Sequence, residues 1–372
     1  MPFDKHLACD FLKGIAFERL GGTPQEDKTV KLICGAVRQV GAVPKLETFG
    51  IQTFAKGTAG LEILSPYRKK YDAKPVALTG SFPRGGKTLE LVYVEAMSPP
   101  ALHNAKGKAV FGYGILGHEQ MELARKTGVA AVLNISEFGV KLRYRCAGDR
   151  AVAKFGRTPT IVIPYEAGME MVRKKASKAR ITLDQAERKA RSKNVIAVVK
   201  GTCPNNREEI VICGHHDSVP DSPGANDNGG GCAIMVALLK YFVKHPTRRA
   251  LRFVWFGSEE QGLLGSRAYV KAHEKELENI KMVVNIDGAG RLVDSSYAVT
   301  IGQDDLRHFV DIIGKERGMN LRVTEGVFGS DGIPFTWNEI PSINITRGAD
   351  VNLFVHTDND DFKWSGADGL AE

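Results

Sequence analysis

From about residue 195 to its end the chain alternates short apolar runs of strand type with helical ones, and nothing else in the sequence restricts the fold as strongly. The pattern predicts strands at Val195–Val199, Glu209–Cys213, Leu251–Phe256, Met282–Ile286, Ala298–Ile301 and Ser342–Ile345, several of them followed by helices. A helix from about Asn228 to Lys244 would bury Ile234, Met235, Leu238, Leu239 and Phe242 and stop before Pro246. Such alternation favours an α/β fold with a mostly parallel or mixed central sheet flanked by helices. Residues 10–40 read as further helical cover, since Phe11, Ile15, Phe17 and Leu20, then Val30, Leu32, Ile33 and Val37, fall near one face at helical spacing.

From about Pro75 the pattern changes to short strands broken by glycine, at Val76–Leu78, Leu89–Val94, Ala109–Tyr113, Ala130–Asn134 and Thr160–Pro164. The expected organisation is therefore one α/β domain made of residues 1–72 and 193–372, interrupted by a β-rich insert at 73–192. There is no internal repeat and no low-complexity linker.

Composition removes several classes of function. With 43% apolar and 25% charged residues the chain has the usage of a globular protein, not of a disordered one. No run of eighteen apolar residues is present, so no membrane span is expected. The stretch Met1–Leu12 lacks the basic-then-apolar layout of a secretory signal; the chain as written is expected in the cytoplasm, and one trimmed behind a signal would be secreted or periplasmic. Six cysteines are scattered without a Cys-x-x-Cys pair and read as ordinary small side chains. The net charge of +8 comes mostly from 173–193, where nine Lys/Arg face two acids. That stretch has no interleaved aromatics, so it reads as a solvated basic face and no nucleic-acid partner is expected. Nothing in the sequence sets an oligomeric state.

In open α/β sheets ligands gather beyond the carboxyl ends of the strands, so polar residues just after predicted strands carry the most information. Gly214-His215-His216-Asp217-Ser218 follows one strand, Gly257-Ser258-Glu259-Glu260 a second, and Asp287 a third. Near the end, Val355-His356-Thr357 precedes the acidic run Asp358 to Asp361, and Asp227 lies in the Gly-rich turn that opens the first helix. Singly, each has a bland reading as a cap, a solvated pair or a structural histidine; together, in this order and at strand ends, they do not. Two imidazoles and three carboxylates on one rim suit zinc or a similar divalent ion. One shared carboxylate would let five ligands hold two ions, and a water between such ions is acidic enough to attack a carbonyl. In the Glu259-Glu260 pair one carboxylate would bind metal while its neighbour serves as general base.

In order and spacing, Gly-His215-His216-Asp217-Ser, Gly-Ala-Asn226-Asp227-Asn228-Gly, Gly-Ser-Glu259-Glu260-Gln-Gly, Asn285-Ile-Asp287 and His356-Thr-Asp358 resemble the M28 zinc peptidases. The resemblance covers roughly 195–372, and the N-terminal helices more faintly. It implies a two-zinc exopeptidase acting on peptide substrates, with His215 and Asp287 on one Zn2+, Glu260 and His356 on the other, and Asp227 bridging. Glu259 would be the base and Asp217 would orient His215 through its far ring nitrogen. Of the two adjacent histidines, only His215 has the family's His-x-Asp spacing to Asp217. The resemblance also implies a cis Asp227–Asn228 peptide. Segments 107–111, 124–132 and 158–164 resemble a protease-associated domain, which carries no catalytic residue.

Two departures stand out. Family aminopeptidases often place a tyrosine before the last histidine, where this chain has Val355, and the turn Ser330-Asp331-Gly332-Ile333-Pro334-Phe335 has glycine where the family carries a histidine or tyrosine. The expected activity is release of the amino-terminal residue. A carboxypeptidase or dipeptidase would need a cation for the carboxylate, for which Arg291 and Arg347 are candidates. A glutaminyl-cyclase-like acyl transferase would keep one zinc, and a non-catalytic binding module would have lost ligands.

Overall fold

Strands from distant parts of the chain build one eight-stranded sheet in the order Lys45–Phe54, Glu187–Val199, Ala250–Phe256, Glu209–His215, Ile280–Ile286, Ser342–Arg347, Ser296–Ile301 and Leu321–Glu325. The computed structural model describes residues 3–203, 205–302, 304–348 and 354–371, with the backbone alone at 149 and 304. Four neighbouring strands, Ala250–Phe256, Glu209–His215, Ile280–Ile286 and Ser342–Arg347, run parallel, and antiparallel pairs flank them on both sides. This is the mixed α/β sheet the alternation predicts.

Both faces of that sheet are packed, which explains why its strands read as continuous apolar runs. Val195, Ala197, Phe253 and Trp255 point to one face and meet Ile15, Val30, Ile33 and Val37 with Met235 and Leu239. The alternate residues Ile196, Val254 and Phe256 point to the other and meet Tyr269, Leu277, Phe335 and Ile340. Phe253, Trp255 and Phe256 are fully buried, and burial of a side chain of this size stabilises by about 1.5–3 kcal/mol. The predicted N-terminal cover forms two helices, Lys5–Ile15 and Pro24–Gln39. Asp4 and Thr23 cap them by accepting from the amides of Leu7 and Glu26, and Pro24 occupies the first turn, where its missing N–H costs nothing.

The chain divides into two units, one built from Met1–Ile51, Ala190–Val351 and Asp358–Glu372, the other from Gln52–Lys189 and Asn352–Thr357. The second unit has its own nine-stranded sheet and its own core, including Leu61, Leu91, Phe111, Leu133, Ile161 and Ile181. The division corrects the expected boundary at 72/73: Thr58–Ser65 and Lys69–Tyr71 belong to the second sheet. The reason is long-range. Thr58–Ser65 pairs antiparallel along its length with Lys178–Asp184, and no local pattern in either segment announces that partner. Within the basic stretch Ala179, Ile181 and Leu183 are buried while Lys178 and Arg180 are exposed, which is the solvated basic face of a strand. Among the described residues no helix is long and apolar enough to cross a membrane.

Candidate metal centre

His215 is the last residue of its strand, fully buried, and its imidazole is clamped between two sets of carboxylates. Nε2 lies 3.0 Å from Asp227 Oδ1 and 3.3 Å from Asp287 Oδ1, while Nδ1 lies 3.5 Å from Asp217 Oδ1. Burial alone would lower the imidazole pKa, but the charges of Asp287 and Glu259 and the contacts with Asp217 and Asp227 outweigh it and raise it well above the ordinary histidine value. His216 faces elsewhere: its Nε2 sits 2.9 Å from the Lys193 carbonyl.

Asp287 follows directly on Ile280–Ile286, the strand beside Glu209–His215, which is why the parallel block brings the two side chains together. Asp227 comes from the Gly-rich turn, and that turn is tied down heavily. The Asp227–Asn228 peptide is cis. The Asn228 side chain donates to the Ile286 carbonyl (2.7 Å) and accepts from the amides of Gly231 and Gly288. Glycine is required at position 230, since a Cβ there would collide with the Ala289 carbonyl. Asp360 accepts from the amides of Asn226 (2.8 Å) and Asp227 (3.0 Å). Burial and the Asp227 charge push its carboxyl up to about 6, against the two amides, which lower it.

Glu259 and Glu260 open a short 3-10 turn after the strand Ala250–Phe256, behind Ser258 in a left-handed conformation. Their backbone amides both donate to Asp217, Glu259 to Oδ1 at 3.0 Å and Glu260 to Oδ2 at 3.2 Å. One fully buried carboxylate thus orients His215 and the Glu–Glu turn at once. Burial pushes the Asp217 carboxyl up, but the contact with His215 and the imidazole charge outweigh it and hold the carboxyl below the usual range. Glu259 Oε2 is 4.0 Å from His215 Nε2, outside bonding range. Burial, with the charges of Glu260, Asp331 and Asp287, raises the Glu259 carboxyl well above the ordinary range despite His215.

The ligand atoms fall into two groups, His215, Asp227 and Asp287, and then Asp227, Glu260 and His356, each group lying within 4.8 Å. Asp227 is common to both, and all five expected metal ligands are included. Ligand atoms about 2.0–2.1 Å from a tetrahedral zinc sit about 3.3 Å apart, close to the 3.0 and 3.3 Å separations at His215 Nε2. Carboxylates gathered this tightly around two imidazoles repel one another, and a cation in each group relieves that repulsion. Imidazole nitrogen with carboxylate oxygen is a donor set that zinc takes. The residues present therefore fit the metal.

Three buried polar residues, Arg19, Asp360 and Asp331, are given no role by the sequence alone. Arg19, fully buried, donates to the carbonyls of Phe17, His216, Pro223 and Gly224 and so pins the loop that runs from His215 to the turn carrying Asp227. Asp360, within the acidic run Asp358 to Asp361, fixes the backbone amides of Asn226 and Asp227. Asp331, fully buried, has its carboxyl pushed up to about 7 by burial, with the charges of Asp287 and Asp217 adding to the rise.

Residues 194–371 match the sequence profile described as Peptidase family M28. Aminopeptidase YwaD of Bacillus subtilis is 29% identical over 366 residues, spanning 92% of this chain and 76% of its own. Aminopeptidase Y of Saccharomyces cerevisiae is 28% identical over 275 residues, spanning 68% of this chain and only about half, 49%, of its own. The solved structure of BSAP, a zinc aminopeptidase from Bacillus subtilis, aligns over 99% of this chain and 92% of its own at a TM-score of 0.81 and 24% identity, a likeness of fold.

Proposed function

We propose that the chain is a two-zinc aminopeptidase of peptidase family M28, releasing the amino-terminal residue of peptides, a reading supported by the match of residues 194–371 to that family and by the likeness to Aminopeptidase YwaD. One observation carries the reading: the two ligand groups share Asp227, so a single carboxylate serves both positions. Bound there, the ions would polarise the scissile carbonyl and acidify the attacking water.

The chain's own groups supply the rest. Glu259 stands just beyond bonding range of His215 and is desolvated, so its carboxyl is suited to take a proton from water and return it to the leaving nitrogen. Asp217 holds His215 with Nε2 facing the carboxylates and fixes the Glu259 and Glu260 backbone. Asp360 fixes the backbone of Asp227. The reading for amino-terminal specificity is supported by the two arginines that could have served a substrate carboxylate. Arg347 spends its guanidinium on the carbonyls of Arg291 and Leu292 and on Ser296 Oγ, and Arg291 lies 3.8 Å from Asp294. The β-rich unit at 52–189 is read as the protease-associated-like module and carries none of these residues.

The test pairs a metal count with substrate blocking. Two zinc ions per chain, with cleavage of leucyl anilide and no cleavage of its N-acetyl form, is the expected result. One ion per chain, or cleavage of amino-blocked but not carboxy-blocked dipeptides, would overturn it.

A further inference from the structure

Within residues 52–189, which hold none of the five candidate metal ligands, aromatic side chains stand in solvent around an open cavity of about 660 Å3. Tyr93, Tyr113, Phe138, Tyr165 and Met169 line it, with Arg173 as the charged lining residue. Phe138 is 74% and Tyr113 54% exposed, a large apolar cost for a surface that covers nothing. The rings are ordered: Phe138 and Tyr113 meet Tyr165 edge-on, at 5.4 and 6.5 Å between centroids. Arg173 closes the helix Tyr165–Arg173, its guanidinium 3.8 Å from the soft Met169 sulfur. Glu170, on the same helix, is held by Lys69 and Lys174.

We infer that this groove binds a stretch of polypeptide in which an apolar side chain stands beside a carboxylate. Exposed tyrosine, phenylalanine, methionine and arginine around a concave patch is the composition of a peptide-docking site. Charge specifies the ligand further. Residues 52–189 hold 24 Lys/Arg against 12 Asp/Glu, whereas the remainder holds 27 against 31. The whole positive excess lies on this unit, and Arg173 presents it at the groove, where it can grip a carboxylate. Single-stranded nucleic acid fits less well. It needs several cations along its backbone and rings open for stacking, while this groove is lined by a single arginine and by rings turned edge-on to each other.

The test uses the full-length, zinc-loaded chain and fluorescein-labelled N-acetyl peptides, one carrying Glu-Phe-Asp-Leu and its twin carrying Gln-Phe-Asn-Leu. Anisotropy should show the acidic peptide binding about tenfold tighter, the worth of one charge-assisted hydrogen bond. Arg173→Gln should erase the difference, Arg173→Lys should restore part of it, and Phe138→Ala should weaken both peptides. Both positions are exposed, and turnover of leucyl anilide should not change in any variant. Equal binding of the twins, preference surviving in Arg173→Gln, or tighter Arg173-dependent binding of a uridine oligonucleotide would overturn the inference. Because the acetylated probes offer no free amine and turnover is measured separately, this inference and the aminopeptidase reading can fail independently.

Discussion

Replacing Asp217 by asparagine keeps the shape of a fully buried side chain and removes one acceptor. The carboxylate receives the Glu259 amide and faces His215 Nδ1 on Oδ1, and receives the Glu260 amide on Oδ2. Asparagine has one oxygen. Placed at the Oδ1 position it keeps two of the three partners and turns an NH2 group toward the Glu260 amide, two donors meeting where 3.2 Å now separates donor from acceptor. A lost bond to a buried charge costs about 1.5–3 kcal/mol, and removal of a group supporting metal ligands typically costs about 10–100-fold in affinity or activity. The two ranges agree, since a tenfold change is about 1.4 kcal/mol. The loss should fall unevenly. Glu260 belongs with Asp227 and His356, and His215 with Asp227 and Asp287, so the ion held by Glu260 should leave first. Titrating the variant with a zinc chelator while following bound metal should give two separated steps, the earlier about 10–100-fold weaker than in the parent chain. Release of both ions at the parent concentrations, with unchanged kcat/KM, would refute the role given to Asp217.

Glu259→Gln should bind both ions normally yet lose at least about 100-fold in kcat, consistent with loss of a general base; turnover near the parent value in the metal-replete variant would remove Glu259 from the chemistry. Asp227→Ala should lose both ions together by elemental analysis, because the residue sits in both ligand groups; retention of two tightly held ions would contradict the sharing. Glu26 gives a pH prediction apart from the metals. Burial, partly offset by the Ser192 hydroxyl and the Gly22 amide, pushes its carboxyl up to about 8, from an ordinary value of 4.5. A carboxyl raised on folding contributes stability that is complete below its unfolded pKa and is lost as pH rises through its folded one. Relative to the parent, Glu26→Gln should gain about 1.4 kcal/mol per pH unit across that window, measured by denaturant unfolding of chelated protein at several pH values; a constant difference would show that Glu26 does not titrate there.

What the sequence disclosed and what it withheld follow from how each residue acts. His215, Glu259, Glu260 and Asp287 stand at strand ends because a parallel sheet directs its carboxyl ends to one rim, so a strand pattern and a chemically suitable residue type together locate them. The alternation of Ile196 and Val254 against Ala197 and Trp255 across two packed faces likewise leaves the continuous apolar runs that betray a covered sheet. Arg19 and Asp360 leave no such trace. Arg19 works through four main-chain carbonyls and Asp360 through main-chain amides, groups that every residue carries and that no sequence pattern encodes. The misplaced boundary at 72/73 has the same origin. Thr58–Ser65 is assigned to its sheet by pairing with Lys178–Asp184, a bond between backbones more than a hundred positions apart. A catalytic side chain is visible in sequence because its chemistry needs a particular residue type. A side chain that positions it through backbone groups becomes visible only when the chain has folded around it, and Asp217 is the instructive case: the family resemblance implies its contact with His215, while its hold on two backbone amides of the Glu259-Glu260 turn emerges only from the fold.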